Sequence, residues 1–290
     1  MKKIIFGILV SFLTINYSFA QSTLNKIKET GTILVGYREW APPFSYIDNK
    51  LKPTGFGWEI CGAVIDEVKK VTNRNIIIET RAVAPQYKLL MIQNGTIDIE
   101  CATTNYTPER ATQVGFANNY FYTGTRFLVK SNSSVLSINN LKGKKVASTI
   151  GSTNYQLLRN LNSTDNIGFE LIGVKDHIDG VLLVESDKVD AFGMDDVLLY
   201  ALKSTTRNPS ELKIVGDPLA IEPYAIIFRK DDPEFKNLVN WVLAKLVRTG
   251  EFNRIYKKWF ESPIPPNGIN LNLPMSKELK ENLKTITSIN

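Results

Sequence analysis

The chain has 290 residues, 43% of them hydrophobic and 22% charged, with a formal net charge of +6; this is a globular composition, long enough for two lobes with separate cores. One histidine and two cysteines exclude a structural zinc site of ordinary ligand count. The basic residues are scattered among acids, which argues for an ordinary solvated surface and against a nucleic-acid partner, and no G-x-S-x-G, P-loop or H-E-x-x-H occurs.

Lys2 and Lys3 precede an uncharged apolar run from Ile4 to Leu13, and a polar stretch then ends in Ser18-Phe19-Ala20. This pattern predicts a signal peptide cleaved after Ala20. The apolar run, roughly ten residues, is about half of what a membrane-spanning helix needs. Gln21 in place of a cysteine offers no lipid attachment point, so the expectation is a soluble exported protein that is not a lipoprotein. Loss of the two lysines lowers the formal charge from +6 to +4.

Ile33-Leu34-Val35-Gly36 reads as a strand, Glu59 to Val71 as a helix and Ile76-Ile77-Ile78 as a second strand, an alternation that predicts a βαβ sheet. Tyr87 to Gln93 reads as a helix closed by Asn94-Gly95, and Ile97 to Ala102 as a strand. Thr107-Pro108-Glu109-Arg110 reads as a helix start, Thr107 capping and Pro108 in the first helical position. Past Phe127-Leu128-Val129, a polar segment from Ser131 to Asn140 sets off a second alternation. It consists of a strand over Lys144 to Ser148, a helix from Asn154, a strand from Glu170 to Val174, a helix from Ile178 to Glu185, the strand Asp190-Ala191-Phe192 and a helix after Asp195-Asp196. Tyr224 to Phe228 reads as a strand feeding the amphipathic helix Pro233 to Val247, with Leu238, Val239, Val242, Leu243 and Leu246 on one face. Ile264-Pro265-Pro266-Asn267-Gly268 cannot be helical, and a short helix follows from Ser276.

Cys61 falls on a helix and Cys101 at a strand end, both in apolar surroundings. Export permits a disulfide between them, and two buried free thiols fit the same pattern.

The polar residues that end strands form the candidate site. Thr103, Asn105 and Arg110 follow Asp98-Ile99-Glu100-Cys101-Ala102. Hydroxyl, amide and backbone groups can take an ammonium while a guanidinium grips an α-carboxylate through two parallel hydrogen bonds; a turn with a surface arginine fits the same spacing. Asp195 and Asp196 lie between a strand and a helix, where one could hold an α-amino group and the helix dipole accounts for the other. Gly151-Ser152-Thr153-Asn154 offers amides and hydroxyls to an anion, or simply a cap. The lone His177 precedes a helix, and Arg38 lies in a loop rich in aromatics at the end of a strand.

These segments, in this order, resemble the periplasmic amino-acid-binding proteins of ABC transporters, in particular the glutamate/aspartate-binding branch. The likeness rests on Gly36-Tyr37-Arg38-Glu39, Gln93-Asn94-Gly95-Thr96, Asp98-Ile99-Glu100-Cys101 and Glu109-Arg110, then on Lys175-Asp176-His177, Met194-Asp195-Asp196, Arg229-Lys230-Asp231-Asp232-Pro233 and Pro263-Ile264-Pro265-Pro266. The resemblance implies an α/β two-lobe periplasmic-binding-protein fold of type II. The chain would cross twice between lobes, around Val129-Lys130 and near Glu222-Pro223-Tyr224, so that residues 21–129 and 224–290 form one lobe and residues 130–223 the other. A ligand in the cleft would draw the lobes together for recognition by an inner-membrane permease, with the protein a monomer that needs no cofactor or metal.

Matched residue by residue, the resemblance makes Arg110 the α-carboxylate arginine, Thr103 and Asn105 the polar pair beside it, Asp195 the amino-group partner and Thr153 a carboxylate ligand of the second lobe. Arg38, Lys88 and His177 match the positions around a distal carboxylate, which implies an acidic ligand. Three departures bear on specificity: Lys88 replaces an arginine, Pro85 a serine hydroxyl and Trp40 a small residue. A neutral polar ligand, glutamine or asparagine, is therefore the alternative. The fold also occurs in dehydratases of prephenate-like carboxylates; here Glu59 or His177 would have to be the general acid, and Arg38 with Lys88 makes a better charge receptor than a proton-transfer pair. The expectation is a binding protein, not an enzyme.

Overall fold

The structure, a computed structural model, describes residues 22–288; the expected signal peptide and its cleavage site lie outside the described residues. In chain order the first half comprises α1 (Thr23–Thr30), β1 (Thr32–Tyr37), a small antiparallel sheet of β2 (Trp40–Ala41), β3 (Ser45–Ile47) and β4 (Pro53–Thr54), then α2 (Phe56–Thr72), β5 (Ile77–Ala82), α3 (Lys88–Gln93), β6 (Ile99–Glu100), α4 (Pro108–Ala111) and the long β7 (Gly115–Lys130). The second comprises β8 (Lys145–Thr149), α5 (Thr153–Thr164), β9 (Glu170–Val174), α6 (His177–Glu185), β10 (Ala191–Asp195), α7 (Asp196–Lys203), β11 (Leu212–Val215) and β12 (Ile221–Phe228), followed by α8 (Pro233–Arg248), α9 (Glu251–Phe260) and α10 (Lys277–Ser288).

The strands run in the order β5-β1-β6-β12-β7-β10-β8-β9, with β11 also beside β7. β1 lies parallel to β5 and β6, and β8 lies parallel to β9 and β10. These are the two βαβ units that the sequence alternation predicts. Between them β7 pairs antiparallel with β12 from Gly115 to Gly124, and with β10 from Thr125 to Leu128. One unbroken strand thus serves both lobes.

Each lobe has its own apolar packing. Phe127, Val146, Leu158 and Ala191 are buried together under β8 and β10, and Val83, Ile92, Ile97 and Ile227 under the first lobe's sheet. The amphipathic stripe of α8 packs inward, with Val239, Val242, Leu243 and Leu246 buried. The ring of Phe44 meets those of Phe121, Tyr224 and Phe260 edge-on, with centroids 4.8, 5.2 and 5.5 Å away. Edge-to-face pairs add to simple burial, and here they pin the loop after Arg38 against the strands that join the lobes.

Cys61 of α2 and Cys101, just past β6, are joined by a disulfide, which selects the first of the two alternatives left by the sequence. The structure differs from the expected elements in several places. β7 begins at Gly115, well before Phe127-Leu128-Val129, and β6 is shorter than Ile97 to Ala102 because the chain turns away after Glu100 and pairs again at Asn105 with Tyr224. α1 and α9 lie where no element was expected, as does the small β2-β3-β4 sheet.

Candidate functional site

Parallel strands carry their loops at their carboxyl ends, and the two sheets present those ends to each other. From the first lobe come Arg38 after β1, Lys88 after β5, and Thr103 and Asn105 after β6, with Arg110 on α4. From the second come Thr153 after β8, Asp176 and His177 after β9, and Asp195 at the end of β10. Of the expected site residues, Arg38, Lys88, Thr103, Asn105, Arg110, His177 and Asp195 are all buried, and Thr153 is half-buried. Burying so many charged and polar groups in one place is costly unless they hold one another or a ligand.

They hold one another across the gap between the lobes. Arg38 Nη2 donates to Asp176 Oδ1 at 2.8 Å, and its Nη1 lies 3.5 Å from His177 Nε2. Arg110 Nη1 donates to the Asn105 carbonyl at 3.0 Å within its own lobe, and Nη2 to the Gly151 carbonyl at 2.9 Å in the other. Asn105 Nδ2 donates to Glu222 Oε2 at 2.7 Å, and the Thr153 hydroxyl donates to the same oxygen. The Tyr224 hydroxyl donates to Asp195 Oδ2 at 2.6 Å. Three buried polar atoms have no partner among the described residues: Nε of Arg38, Oε1 of Gln86 and Oε1 of Glu100.

Local chemistry sorts the candidates whose plainer reading was a cap. Ser152, not Thr153, caps α5 by accepting from the Tyr155 N–H at 3.1 Å, which leaves the Thr153 hydroxyl for the cleft. Asp196 accepts from the Thr123 hydroxyl at 2.8 Å and from the Gly124 N–H at 3.3 Å, so it ties α7 to the middle of β7. Asp195 is then the carboxylate of the pair that lies in the site. Arg110 is held by its own helix start, its N–H donating to the capping Thr107 hydroxyl at 3.1 Å.

The electrostatics follow from burial. Desolvation, aided by the Arg110 charge, pushes Lys88 down to about 7, and its Nζ donates to the Thr103 carbonyl at 3.3 Å. Desolvation raises Asp195 to about 7 despite the Tyr224 hydroxyl, with Glu222 adding to the rise. His177 is held well below its ordinary value by burial and by the Arg38 and Lys88 charges, so its ring is neutral. Thr149 Oγ1 sits 2.9 Å from its Nδ1, which turns Nε2 toward Arg38.

Spacing arguments did not single out Asp176, Glu222, Tyr224 or Thr149. Asp176 and Glu222 each engage residues of the opposite lobe, a relation that local sequence does not encode. Of the departures, Trp40 is 45% exposed and lines a groove with Pro265 and Thr205 rather than the buried cluster. Pro85 borders a groove of about 720 Å³ with Gln86, Arg110, Thr153 and Glu222. Glu59 lies on α2, tied to Arg254, Lys258 and Trp259 at 2.9, 2.7 and 2.8 Å.

Comparison with known proteins identifies the family. The sequence model of a family described as bacterial extracellular solute-binding proteins, family 3, matches residues 33–262. An L-glutamate/L-aspartate-binding protein of Pseudomonas aeruginosa is 40% identical over 261 residues, covering 89% of this chain and 86% of that one. A glutamate/aspartate import solute-binding protein of Escherichia coli is 38% identical over 262 residues, covering 90% and 87%. Among solved structures, an ancestral arginine-binding protein bound to arginine superposes with a TM-score of 0.72 at 30% identity, covering 79% of this chain and 98% of that one.

Proposed function

The chain belongs to the bacterial extracellular solute-binding proteins of family 3, and from that premise we propose that it captures an acidic amino acid, glutamate or aspartate, between its lobes and delivers it to the permease of an ABC importer. The observation that carries this reading is the convergence of Arg38, Lys88 and Arg110 of one lobe on Thr153, His177 and Asp195 of the other. Arg110, with Thr103, Asn105 and Thr153 around it, takes the α-carboxylate; Asp195 takes the α-ammonium; Arg38, Lys88 and the neutral His177 take the distal carboxylate. The lobes are read as residues 21–129 with 224–290 and residues 130–223, a division supported by the exchange of β12 for β10 along β7 and by the return of the chain from β11 into β12. Cleavage after Ala20 and release of a monomer into the periplasm belong to the same reading.

The protein is a carrier and not a catalyst. The carboxyl of Glu59 would rise on burial, but hydrogen bonds from Lys258, Trp259 and Arg254 outweigh that and hold it below its ordinary value, so it has no proton to give near neutral pH. His177, neutral by desolvation, is equally unsuited to be a general acid. A second reading, a neutral amide ligand, is favoured by one observation: Asp176 already pairs Arg38 at 2.8 Å, which reduces the free positive charge at the distal end.

A thermal-shift screen of the ligand-stripped protein against the common amino acids tests the reading, because a ligand that binds only the folded state raises the melting temperature. Glutamate and aspartate are expected to give the largest rise. No rise with any amino acid would overturn it, and a rise confined to the amides would select the second reading.

A further inference from the structure

The Arg38 guanidinium is fully buried, yet its charge is not free for a ligand. Nη2 is taken by Asp176 at 2.8 Å, Nη1 faces His177 Nε2 at 3.5 Å, and Nε has no partner among the described residues. Asp176 does not depend on Arg38 for its position. It is the N-cap of α6: its Oδ1 accepts from the His177 N–H at 2.6 Å, and its own N–H donates to Asp179 Oδ2 at 3.0 Å. A fixed negative charge on the second lobe is therefore brought against the first lobe's arginine when the lobes meet.

We propose that Asp176 sets the acid-over-amide selectivity of the site, holding it lower than the cationic side chains alone would make it. The inference rests on the reading of Arg38 and Lys88 as the distal subsite. A carboxylate and a carboxamide at the end of a ligand side chain have nearly the same shape and differ in charge. If Arg38 stood unpaired, an amide ligand would leave a buried cation uncompensated, a heavy penalty that an acid would not incur. With Asp176 in place the guanidinium is paired whichever ligand enters. Discrimination then falls mainly to Lys88, since His177 is neutral. Nε of Arg38 can still donate to either kind of oxygen, which supplies orientation without selecting charge.

The test is calorimetric titration of the exported, ligand-stripped protein with glutamate and glutamine, as wild type and as Asp176→Asn. Asparagine is as good an N-cap as aspartate, so the start of α6 is retained, and Asp176→Ser provides a second capping variant if the first folds poorly. The ratio of the glutamine Kd to the glutamate Kd is expected to rise by about tenfold or more, the scale of one charge pair in a partly buried site, chiefly through weaker glutamine binding. Asp179→Asn, which removes a charge from the same helix turn without touching Arg38, is expected to leave the ratio unchanged. A ratio that stays constant or falls in Asp176→Asn overturns the inference, as does an equal rise in Asp179→Asn. If the wild type binds neither ligand, it is the reading of the site that fails, and a wild type that binds glutamate with an unmoved ratio separates the two cases.

Discussion

Lys88 and Asp195 face each other's chemistry from opposite lobes, and desolvation drives both toward about 7 from opposite directions. In the proposed site an acidic ligand would need Lys88 charged, a condition lost as pH rises through that value. It needs Asp195 ionised to accept its ammonium, a condition lost as pH falls through it. Affinity for glutamate or aspartate is therefore expected to peak near neutral pH and to fall on both sides when titrated calorimetrically from about pH 5.5 to 8.5. Lys88→Met should flatten the alkaline limb and Asp195→Asn the acid limb; a pH-independent wild type would contradict the assignment. At this scale the sequence was informative wherever a residue's own turn or helix start presents it, as with Arg110 after Thr107-Pro108 and Asp195 at the end of a strand. Asp176 and Glu222 escaped because Asp176 meets Arg38 across the gap between lobes and Glu222 bridges Asn105 of one lobe and Thr153 of the other.

The turn from β8 into α5 shows how closely the lobes meet. Gly151 has φ +82°, and a Cβ built on it would lie 2.5 Å from Gln86 Cα in the facing lobe. Neither the left-handed backbone nor backbone-to-backbone contact at that distance tolerates a side chain. Gly151→Ala is expected to weaken ligand binding at least about tenfold, because the Gly151 carbonyl that Arg110 grips could no longer come into range. The check is titration beside a circular dichroism spectrum; an unchanged Kd would mean the closed arrangement is not the binding one. Element types with strong periodicity were legible, such as α8 with its stripe ending at Leu246. β7 was only partly so: within its sixteen residues Gly124 is the one local mark at Gly124–Thr125, where the strand changes partners, and a single glycine does not distinguish an exchange from a bulge. α9 did carry a signal, Phe252, Ile255, Tyr256, Trp259 and Phe260 at helical spacing, all buried.

Taken whole, the molecule is two lobes threaded by a shared strand, with the buried polar groups at the carboxyl ends of their strands facing each other across the gap. The disulfide between Cys61 and Cys101 fixes α2 to the segment that leads into Thr103 and Asn105, so one face of the site is covalently braced. Closure is favoured to the extent that a ligand contacts both lobes. The protein's own bridges already make part of that contact, through Arg38 with Asp176, Arg110 with Gly151, and Glu222 between Asn105 and Thr153. The two-lobe architecture and its alternating halves were readable from the order of strands and helices, whereas these bridges are properties of the assembled fold. The measurement that bears most directly on capture of an acidic amino acid is calorimetric titration of refolded, ligand-free protein with glutamate, aspartate, glutamine, asparagine and histidine, as wild type and as Arg110→Ala. Binding of glutamate or aspartate more tightly than of the others, lost in Arg110→Ala, is the expected result; binding of none of the five, or of histidine alone, would contradict it.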